Sequence, residues 1–402
     1  MDVRLEPRRR DVARYALSGL AMCLCMAVLS QPIHAQTLVA RARVSDPKGI
    51  NIAPHLVPLQ SGNFAAVWGY ASSSNYQSLI PYGRVMKPDG KPATPVRKNL
   101  ITAKLYPYLR FVAGQTAGGR VLVVGTRESD SLLVVRALDS NLRVIGGLAV
   151  ARYSGYGPAL VAGDATGAVL AYYSADTSDI AQLDESGRFA TEPVPLTQSP
   201  VNFVVDSVTA APGGYLALGR DLKSEQSRAV GVPVPSDLGT PGAGIAYEKK
   251  YSPFDNSMRT YGGFLGESGL AVYGHWVNQN KSVGFTQALL STGKPKGAPR
   301  KYPSSAQTPG FLNIIPLGGS EKFAACYLNG YVNCYIQLLD ERGVPAGDPV
   351  PAAADDYSVN LEQPGVAWNP ASSTLAVAYA IYSSTPTPHY ELWIALYKLT
   401  VE

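Results

Sequence analysis

A short apolar motif that occurs seven times limits the fold of this chain more than any other feature of its sequence. The first copy reads FAAVW from Phe64 and the last reads LAVAY from Leu375, with small alanines in the middle. The copies start at Phe64, Val121, Val169, Leu216, Leu270, Phe323 and Leu375, at intervals of 47 to 57 residues. Such a period, made of short β-patterned runs and turns, predicts an array of repeated sheets and not a string of independent domains.

Each repeat can be divided into four strands. In the first repeat, residues 54–59 form the predicted inner strand, 64–70 the second, 78–86 the third and 92–98 the fourth. The second strand is almost continuously apolar, as expected for a strand that is covered on both faces. No useful stretch of residues 36–402 has helical periodicity. The pattern therefore predicts an all-β fold, a β-propeller of four-stranded antiparallel blades.

A turn precedes the fourth strand of several repeats and has the form Asp-x-x-Gly. It is found from Asp184 to Gly187 and from Asp340 to Gly343. A calcium-binding loop is one interpretation, but the turn lacks the alternating carboxylates that such a loop needs. We expect a hairpin turn with the glycine in the left-handed conformation.

The seventh repeat has no fourth strand of its own, while residues 37–44 form a predicted strand that belongs to no repeat. We expect this N-terminal strand to join the last blade and close the ring, which removes an open sheet edge. The predicted blades of the single domain 36–402 are residues 51–100, 101–152, 153–200, 201–252, 253–306, 307–356 and 357–402 plus 37–45.

On these repeats the chain resembles the seven-bladed β-propellers of exported bacterial proteins, across nearly all of residues 36–402. The resemblance is one of architecture. The sequence has no Trp-Asp blade ending, no Ser-x-Asp-x-Gly-x-x-Trp box of sialidase-like repeats and no quinone-binding signature. The resemblance therefore assigns no functional residue.

Residues 1–35 have the pattern of a secretory signal peptide. Five arginines come before an apolar run, and Ala35 offers a small residue for cleavage before Gln36. A membrane anchor and a lipoprotein signal at Cys23 are the alternatives, but the apolar run is shorter than the roughly 20 residues of a spanning helix. We expect a secreted or periplasmic protein without stable membrane insertion after cleavage.

The charge of the chain excludes one class of partner. The formal net charge is +5, of which +2 lies in residues 1–35, and charged residues make up only 16% of the sequence. Without a basic stripe, nucleic-acid binding has no electrostatic support. We expect a monomer whose partner is a glycan or an extracytoplasmic protein.

Two cysteines remain after the leader, and they flank an Asn-Gly turn. A two-residue loop at Asn329 and Gly330 places Cys326 opposite Asn333, whereas a three-residue loop places it opposite Cys334. In an exported protein this spacing predicts a disulfide between Cys326 and Cys334. A redox-active or metal-binding pair is the alternative, but no third ligand is near in sequence.

The loops that enter the inner strands and those that join second to third strands share one face of a propeller. Side chains at these positions are candidates for binding or catalysis, since hydroxylated aromatic rings suit a surface on which sugars or peptides stack. The candidate ligand-binding residues are Tyr70, Tyr106, Tyr173, Asp221, Trp276, Asn329, His389 and Tyr390. The candidate catalytic residues, should the protein be an enzyme, are His55, His275, Tyr108 and Arg127.

Two functions from different classes fit this pattern. One is a binding protein without catalysis, which uses the face rich in tyrosine and histidine. The other is a polysaccharide lyase, in which a histidine or tyrosine removes a proton and Arg127 or a histidine neutralises the carboxylate. The sequence contains no His-x-His pair, nucleophile elbow or phosphate-binding glycine loop. We therefore expect no metal and no cofactor. An envelope-assembly scaffold remains a third interpretation.

Overall fold

The computed structural model describes residues 36–399 except 47, 73–77, 107–110, 154–157, 164–166, 175–176, 197–201, 224–225, 249–257, 279–280, 303–308, 330–332, 354–363 and 384–388. The predicted signal peptide lies outside the described residues.

The described residues form β-strands joined by turns. The first eight are β1 (Gln36–Arg43), β2 (Ile50–Pro58), β3 (Phe64–Ala71), β4 (Ile80–Met86), β5 (Val112–Gln115), β6 (Val121–Thr126), β7 (Leu132–Leu138) and β8 (Val144–Tyr153). They are followed by β9 (Ala159–Ala162), β10 (Ala168–Ser174), β11 (Thr177–Leu183), β12 (Val194–Pro195), β13 (Asn202–Ala211), β14 (Gly214–Lys223), β15 (Gln226–Pro235) and β16 (Ile245–Ala246). The remaining strands are β17 (Met258–Leu265), β18 (Ser268–Asn278), β19 (Lys281–Leu289), β20 (Arg300–Lys301), β21 (Pro309–Pro316), β22 (Phe323–Asn329), β23 (Asn333–Leu339), β24 (Val350–Pro351), β25 (Gly365–Asn369), β26 (Thr374–Ser383) and β27 (His389–Leu399).

Within the described chain, the strands form five separate four-stranded antiparallel sheets and one larger mixed sheet. The separate sheets contain β5–β8, β9–β12, β13–β16, β17–β20 and β21–β24. The larger sheet combines β25–β27 and β1 with β2–β4, and its one parallel contact joins Ile50 to Tyr390. In the first repeat, the predicted fourth strand is reduced to isolated bridges from Gly83 to Arg97 and from Met86 to Pro92. The predicted all-β class and the four-stranded antiparallel sheets are confirmed.

The seven motif copies all lie in second strands, namely β3, β6, β10, β14, β18, β22 and β26. These strands are almost fully buried along the motif, because both of their faces pack against other strands. Phe64 to Trp68 are all 0% exposed, for example. The continuous apolar pattern therefore arises from burial on two faces, as predicted.

The N-terminal strand β1 pairs antiparallel with β27, the last strand in the described chain, with Leu38 opposite Tyr397 and Arg43 opposite Trp393. The residues that follow β1 continue this contact. The Val44 amide donates to the Leu392 carbonyl oxygen at 2.8 Å, and the Leu392 amide donates to Ser45 Oγ at 3.0 Å. Arg84 Nη1 of β4 donates to the Val44 carbonyl oxygen at 3.1 Å. Residues 44–45 therefore connect β27 to the sheet strands of the first repeat.

The Asp-x-x-Gly turns are hairpin turns closed by their own aspartate. In one of them, Asp340 Oδ1 accepts hydrogen bonds from the amides of Arg342 at 2.9 Å and Val344 at 2.8 Å. Gly343 has φ 73°, which is the left-handed conformation that the sequence predicts. The aspartate oxygens thus serve the turn itself, and among the described residues no group of three or more His, Cys, Asp or Glu could hold a metal ion.

The turn glycine also allows close packing on the preceding repeat. A Cβ atom added at Gly343 would lie 2.5 Å from Thr286 Oγ1 on β19. A Cβ atom added at Gly90, in the first repeat, would lie 2.8 Å from the Ala40 Cβ atom on β1. The first repeat thus approaches β1 through the same turn glycine by which the sixth repeat approaches the fifth.

We expect Val44→Ala to lower the free energy of unfolding by about 2 kcal/mol, because Val44 is 0% exposed and its removal leaves a cavity among Phe64, Trp68 and Leu392. Val39→Ala is the matched control, since Val39 is 45% exposed on β1 and should change stability by less than about 0.5 kcal/mol. Urea unfolding of both variants measures the difference. Equal losses would show that the connection between β1 and β27 contributes nothing to stability.

We expect Gly343→Ala to destabilise the protein by about 2–4 kcal/mol, because it adds a steric conflict with Thr286 to the cost of a left-handed alanine. Gly319→Ala is the control. Gly319 has φ 87° but no atom within 4 Å of an added Cβ, so only the conformational cost of about 1 kcal/mol remains. Thermal or urea unfolding separates the two terms, and equal effects would contradict the proposed packing.

Candidate functional site

A cavity of about 250 Å³ is lined by the first strand of every repeat in the described chain. Its lining comes from β2, β5, β9, β13, β17, β21 and β25, or from residues directly before them. We call it the central cavity. Its position follows from the repeats, because each sheet presents its first strand to the same space.

Four of the first strands contain a β-bulge, and these bulges change what the cavity lining presents. The register shifts lie between Ile52 and His55, Val205 and Ser207, Met258 and Tyr261, and Pro309 and Leu312. A bulge takes a residue out of the hydrogen-bonded ladder and redirects its side chain. The bulged segments contribute Pro54, Asp206 and Arg259 to the lining.

The Asp206 carboxylate joins two neighbouring sheets. Asp206 is 5% exposed, and its Oδ2 atom accepts hydrogen bonds from Arg220 Nε at 3.1 Å and from the Thr260 amide at 3.0 Å. The Ser207 hydroxyl donates to the Thr260 carbonyl oxygen at 2.9 Å. A buried carboxylate needs such partners to remain charged. We therefore assign Asp206 a structural role between β13 and β17.

A second pocket, of about 310 Å³, is lined by the segment that precedes β2 and by residues of the first repeat. We call it the Tyr70 pocket. Its lining residues are Asp46, Lys48, Asn51, Tyr70, Tyr82 and Lys98. The Tyr70 and Tyr82 rings stack with centroids 4.5 Å apart and an interplanar angle of 9°. Lys48 and Lys98 are both exposed.

The floor of the Tyr70 pocket is fixed by Asn51, which is 2% exposed. Its Nδ2 atom donates to the Tyr390 carbonyl oxygen at 2.8 Å, and its Oδ1 atom accepts from Trp68 Nε1, also at 2.8 Å. Asn51 therefore holds β2, β3 and β27 together below the pocket. Burial, with smaller contributions from Tyr70 and Asp46, raises the pKa of Tyr82, so that its hydroxyl stays protonated at neutral pH.

The candidate catalytic residues do not share one cavity. His55 lines the central cavity, and its ring centroid lies 5.1 Å from that of Phe111. Arg127 lines a separate depression with Lys104 and Glu128. Arg127 Nε donates to Asp130 Oδ1 at 2.9 Å, and this hydrogen bond raises the pKa of Arg127 and lowers that of Asp130.

The remaining candidates are dispersed. Tyr390 is half-buried at the edge of the last and first repeats, where its ring lies 5.2 Å from that of Tyr382. His389 is 8% exposed, with Nε2 3.5 Å from Glu391 Oε1. Asp221 is 2% exposed and pairs with Arg228 at 2.8 Å. Because they are buried, the His389 and Asp221 side chains have little access to a ligand.

Two further tyrosine candidates are half-buried. The Tyr106 amide donates to the Thr126 carbonyl oxygen, and Tyr173 lies opposite Ser178 in the β10–β11 pair. Tyr108 lies outside the described residues. The backbones of His275, Trp276 and Asn329 belong to β18 and β22, but their side chains lie outside the description.

Both predicted registers of the cysteine hairpin are wrong. Asn329 lies opposite Asn333, so that Cys326 faces Ile336 and Cys334 faces Leu328. Three residues separate the paired Asn329 and Asn333, so the turn starts one residue later than in the predicted three-residue loop. The two cysteines are therefore diagonal neighbours on the two strands and not directly opposite each other. Both are free thiols here, buried, with sulfur atoms 3.5 Å apart. The hydrogen bond to Cys334 and burial raise the pKa of the Cys326 thiol, so it is not an activated nucleophile.

Sequence reasoning missed several polar residues that line the two cavities, namely Asp206, Ser207, Arg259, Tyr261 and Asn313 in the central cavity and Lys48, Tyr82 and Lys98 in the Tyr70 pocket. One signal was available for the central cavity. Asp206, Arg259 and Asn313 each lie in the segment before a copy of the motif, and the corresponding segments of other repeats are mostly apolar. No comparable signal identifies the Tyr70 pocket, because its residues come from four separate segments.

Comparisons with known proteins inform the fold only. No protein-family model and no curated protein matches this chain. Its structure is similar to a protein of unknown function from Dyadobacter fermentans, with TM-score 0.55 and 9% identity over 92% of this chain and 100% of that chain. It is also similar to the polysaccharide lyase Uly1, with TM-score 0.50 and 8% identity over 88% and 90%. The Dos1 propeller aligns with TM-score 0.48 and 11% identity over 91% and 96%. At these identities the first two likenesses concern the fold alone.

Proposed function

We propose that the chain is a seven-bladed β-propeller in which β1 completes the seventh blade. Two observations support the ring. The first strands of all the repeats line one cavity, and β25 contacts β2 as each first strand contacts the next. The packing of Gly90 on Ala40 repeats that of Gly343 on the preceding repeat. In such a ring each blade keeps only short edges, at its inner and outer strands.

We propose that this propeller is an exported protein, secreted or periplasmic, that binds an acidic glycan in the Tyr70 pocket. The single observation that carries the proposal is the stacked Tyr70–Tyr82 pair in a pocket that two exposed lysines, Lys48 and Lys98, also line. Aromatic rings with hydroxyl groups stack on the apolar face of a sugar and hydrogen-bond to its polar edge. The lysines supply the attraction for a carboxylate.

The charge of the pocket favours an anion. Two lysines stand against one carboxylate, Asp46. The Tyr82 hydroxyl is a neutral donor, as a tyrosine is at neutral pH, and burial raises its pKa further from that range. Tyr70 and Tyr82 already stack on each other, so little side-chain freedom is lost when a sugar binds. Lys48 and Lys98 are exposed, so their attraction should weaken as salt increases.

Binding without catalysis requires nothing more than this pocket. The alternative, a polysaccharide lyase, needs a base and a neutralising cation on the same sugar ring. His55 and Arg127 line different cavities, and Arg127 is already paired with Asp130. No observation on the described residues favours the lyase over the binding protein. In the part of the chain that the structure describes, no helix is long and apolar enough to cross a bilayer.

We expect calorimetric titration with tetragalacturonate to detect binding, and the fully methyl-esterified tetramer to bind at least about tenfold more weakly because it lacks the carboxylates. Tyr70→Ala should weaken tetragalacturonate binding by about tenfold through loss of the stacking surface. The double substitution Lys48→Gln and Lys98→Gln should remove most of the salt dependence.

Lys87→Gln is the control, because Lys87 is exposed in the same repeat but lies outside the pocket. The Lys87→Gln variant should bind tetragalacturonate with the same affinity as the unmodified protein. The proposal fails if tetragalacturonate does not bind, if the ester binds equally well, or if Tyr70→Ala and Lys87→Gln behave alike. Release of unsaturated uronate products would instead support the lyase.

Export also predicts the state of the cysteine pair. In an oxidising compartment we expect Cys326 and Cys334 to lose two protons and two electrons to a disulfide oxidant, which is reduced to two thiols, and to form the predicted disulfide. The protein should then be two hydrogens lighter than the same chain made in a reducing cytosol, and about 2 kcal/mol more stable. Intact-mass measurement and thiol titration after unfolding check this, with the variant Cys334→Ser as the control. Two titratable thiols in the exported protein would contradict it.

A further inference from the structure

The central cavity has two chemically different walls. Apolar residues from β2, β5, β9 and β25 form most of one wall, including Leu56, Val112 and Leu160, and His55 of β2 lies on the same side. The other wall comes from β13, β17 and β21 and carries the polar groups Asp206, Ser207, Arg259, Tyr261 and Asn313. A small cavity with an apolar side and a few convergent polar groups is the usual form of a small-molecule site.

The charges of the polar wall do not cancel. Asp206 forms an ion pair with Arg220, whose side chain is 13% exposed, so the two charges cancel. The Oδ2 atom of Asp206 also accepts a hydrogen bond from the Thr260 amide. Arg259 is half-buried, and no hydrogen bond or ion pair to it is found among the residues that the structure describes. Among the described lining residues, the cavity therefore carries one cation in excess.

The neighbours of Arg259 add hydrogen-bond donors. Asn313 Oδ1 accepts from the Ile314 amide at 2.8 Å, which leaves the Asn313 side-chain N–H groups as the donors at that position. A guanidinium binds an oxyanion through paired, charge-assisted hydrogen bonds. One cation matches one negative charge, whereas a phosphate dianion would keep one charge without a counter-charge among the described lining residues.

We propose that the central cavity binds a small monocarboxylate with a compact apolar body, and that Arg259 anchors the carboxylate while Asn313 donates to it. The apolar wall of β2, β5 and β9 receives the rest of the ligand. This site is separate from the Tyr70 pocket, so it makes the protein a binder of two different ligands. Neither site depends on the other.

Calorimetric titration with benzoate tests the proposal. Benzamide has nearly the same shape without the charge, and phenyl phosphate has the same ring with a larger charge. We expect benzoate to bind at least about tenfold more tightly than benzamide, and also more tightly than phenyl phosphate. Arg259→Gln should weaken benzoate binding by at least about tenfold and leave benzamide binding unchanged. Arg259→Lys should be intermediate, because lysine keeps the charge and loses the paired geometry.

Two further variants locate the ligand. Ala113→Phe fills the cavity from β5 and should abolish benzoate binding while Arg259 remains, with circular dichroism to verify the fold. Arg300→Gln, at an exposed position on β20, should change nothing. The proposal is overturned if benzoate does not bind, if benzamide binds equally well, if phenyl phosphate binds more tightly, or if Arg259→Gln binds as the unmodified protein does. Arg259→Gln should leave tetragalacturonate binding unchanged, so the failures of the two proposals are distinguishable.

Discussion

The pairing of β1 with β27 is the constraint on which the rest of the structure depends. It joins residues more than 300 positions apart, and Val44 and Ser45 extend it to Leu392 and Arg84. The floor of the Tyr70 pocket rests on the same region, because Asn51 binds both Trp68 and Tyr390. Contacts of such long sequence separation form late and slowly, since the entropy of closing the loop must be lost first. We therefore expect the individual sheets to fold before β1 pairs with β27.

The all-β fold could be predicted from the sequence because the same apolar motif occurs seven times. The motif from Phe64 to Trp68 has its pattern from burial on both faces, and each copy marks a second strand. The Asp340–Gly343 turn was predictable for a similar reason, since its aspartate and its left-handed glycine act within four neighbouring residues. Interactions between residues that are close in sequence can be recognised from a short sequence pattern.

The sites were harder to predict, because their residues meet only in three dimensions. Lys48 and Lys98 belong to one pocket, yet neither lies in a motif. The sequence places Cys326 and Cys334 on the two strands of one hairpin, but the observed register differs from the predicted one, so that other side chains face them. In a hairpin, such a shift moves every side chain to a new partner. Asp221 illustrates a different error, since a strand-end position expected to be exposed is occupied by a buried ion pair.

The bulges in the first strands have a consequence for the evolution of such proteins. A bulged residue such as Arg259 stands outside the ladder of its strand, so its replacement need not disturb the pairing of the flanking residues. The scaffold can therefore hold its shape while mutation alters the chemistry of the central cavity. Descendants of one ancestral protein with this fold could acquire unrelated ligands through substitutions at a few positions, and the fold would then be a poor guide to their specificity.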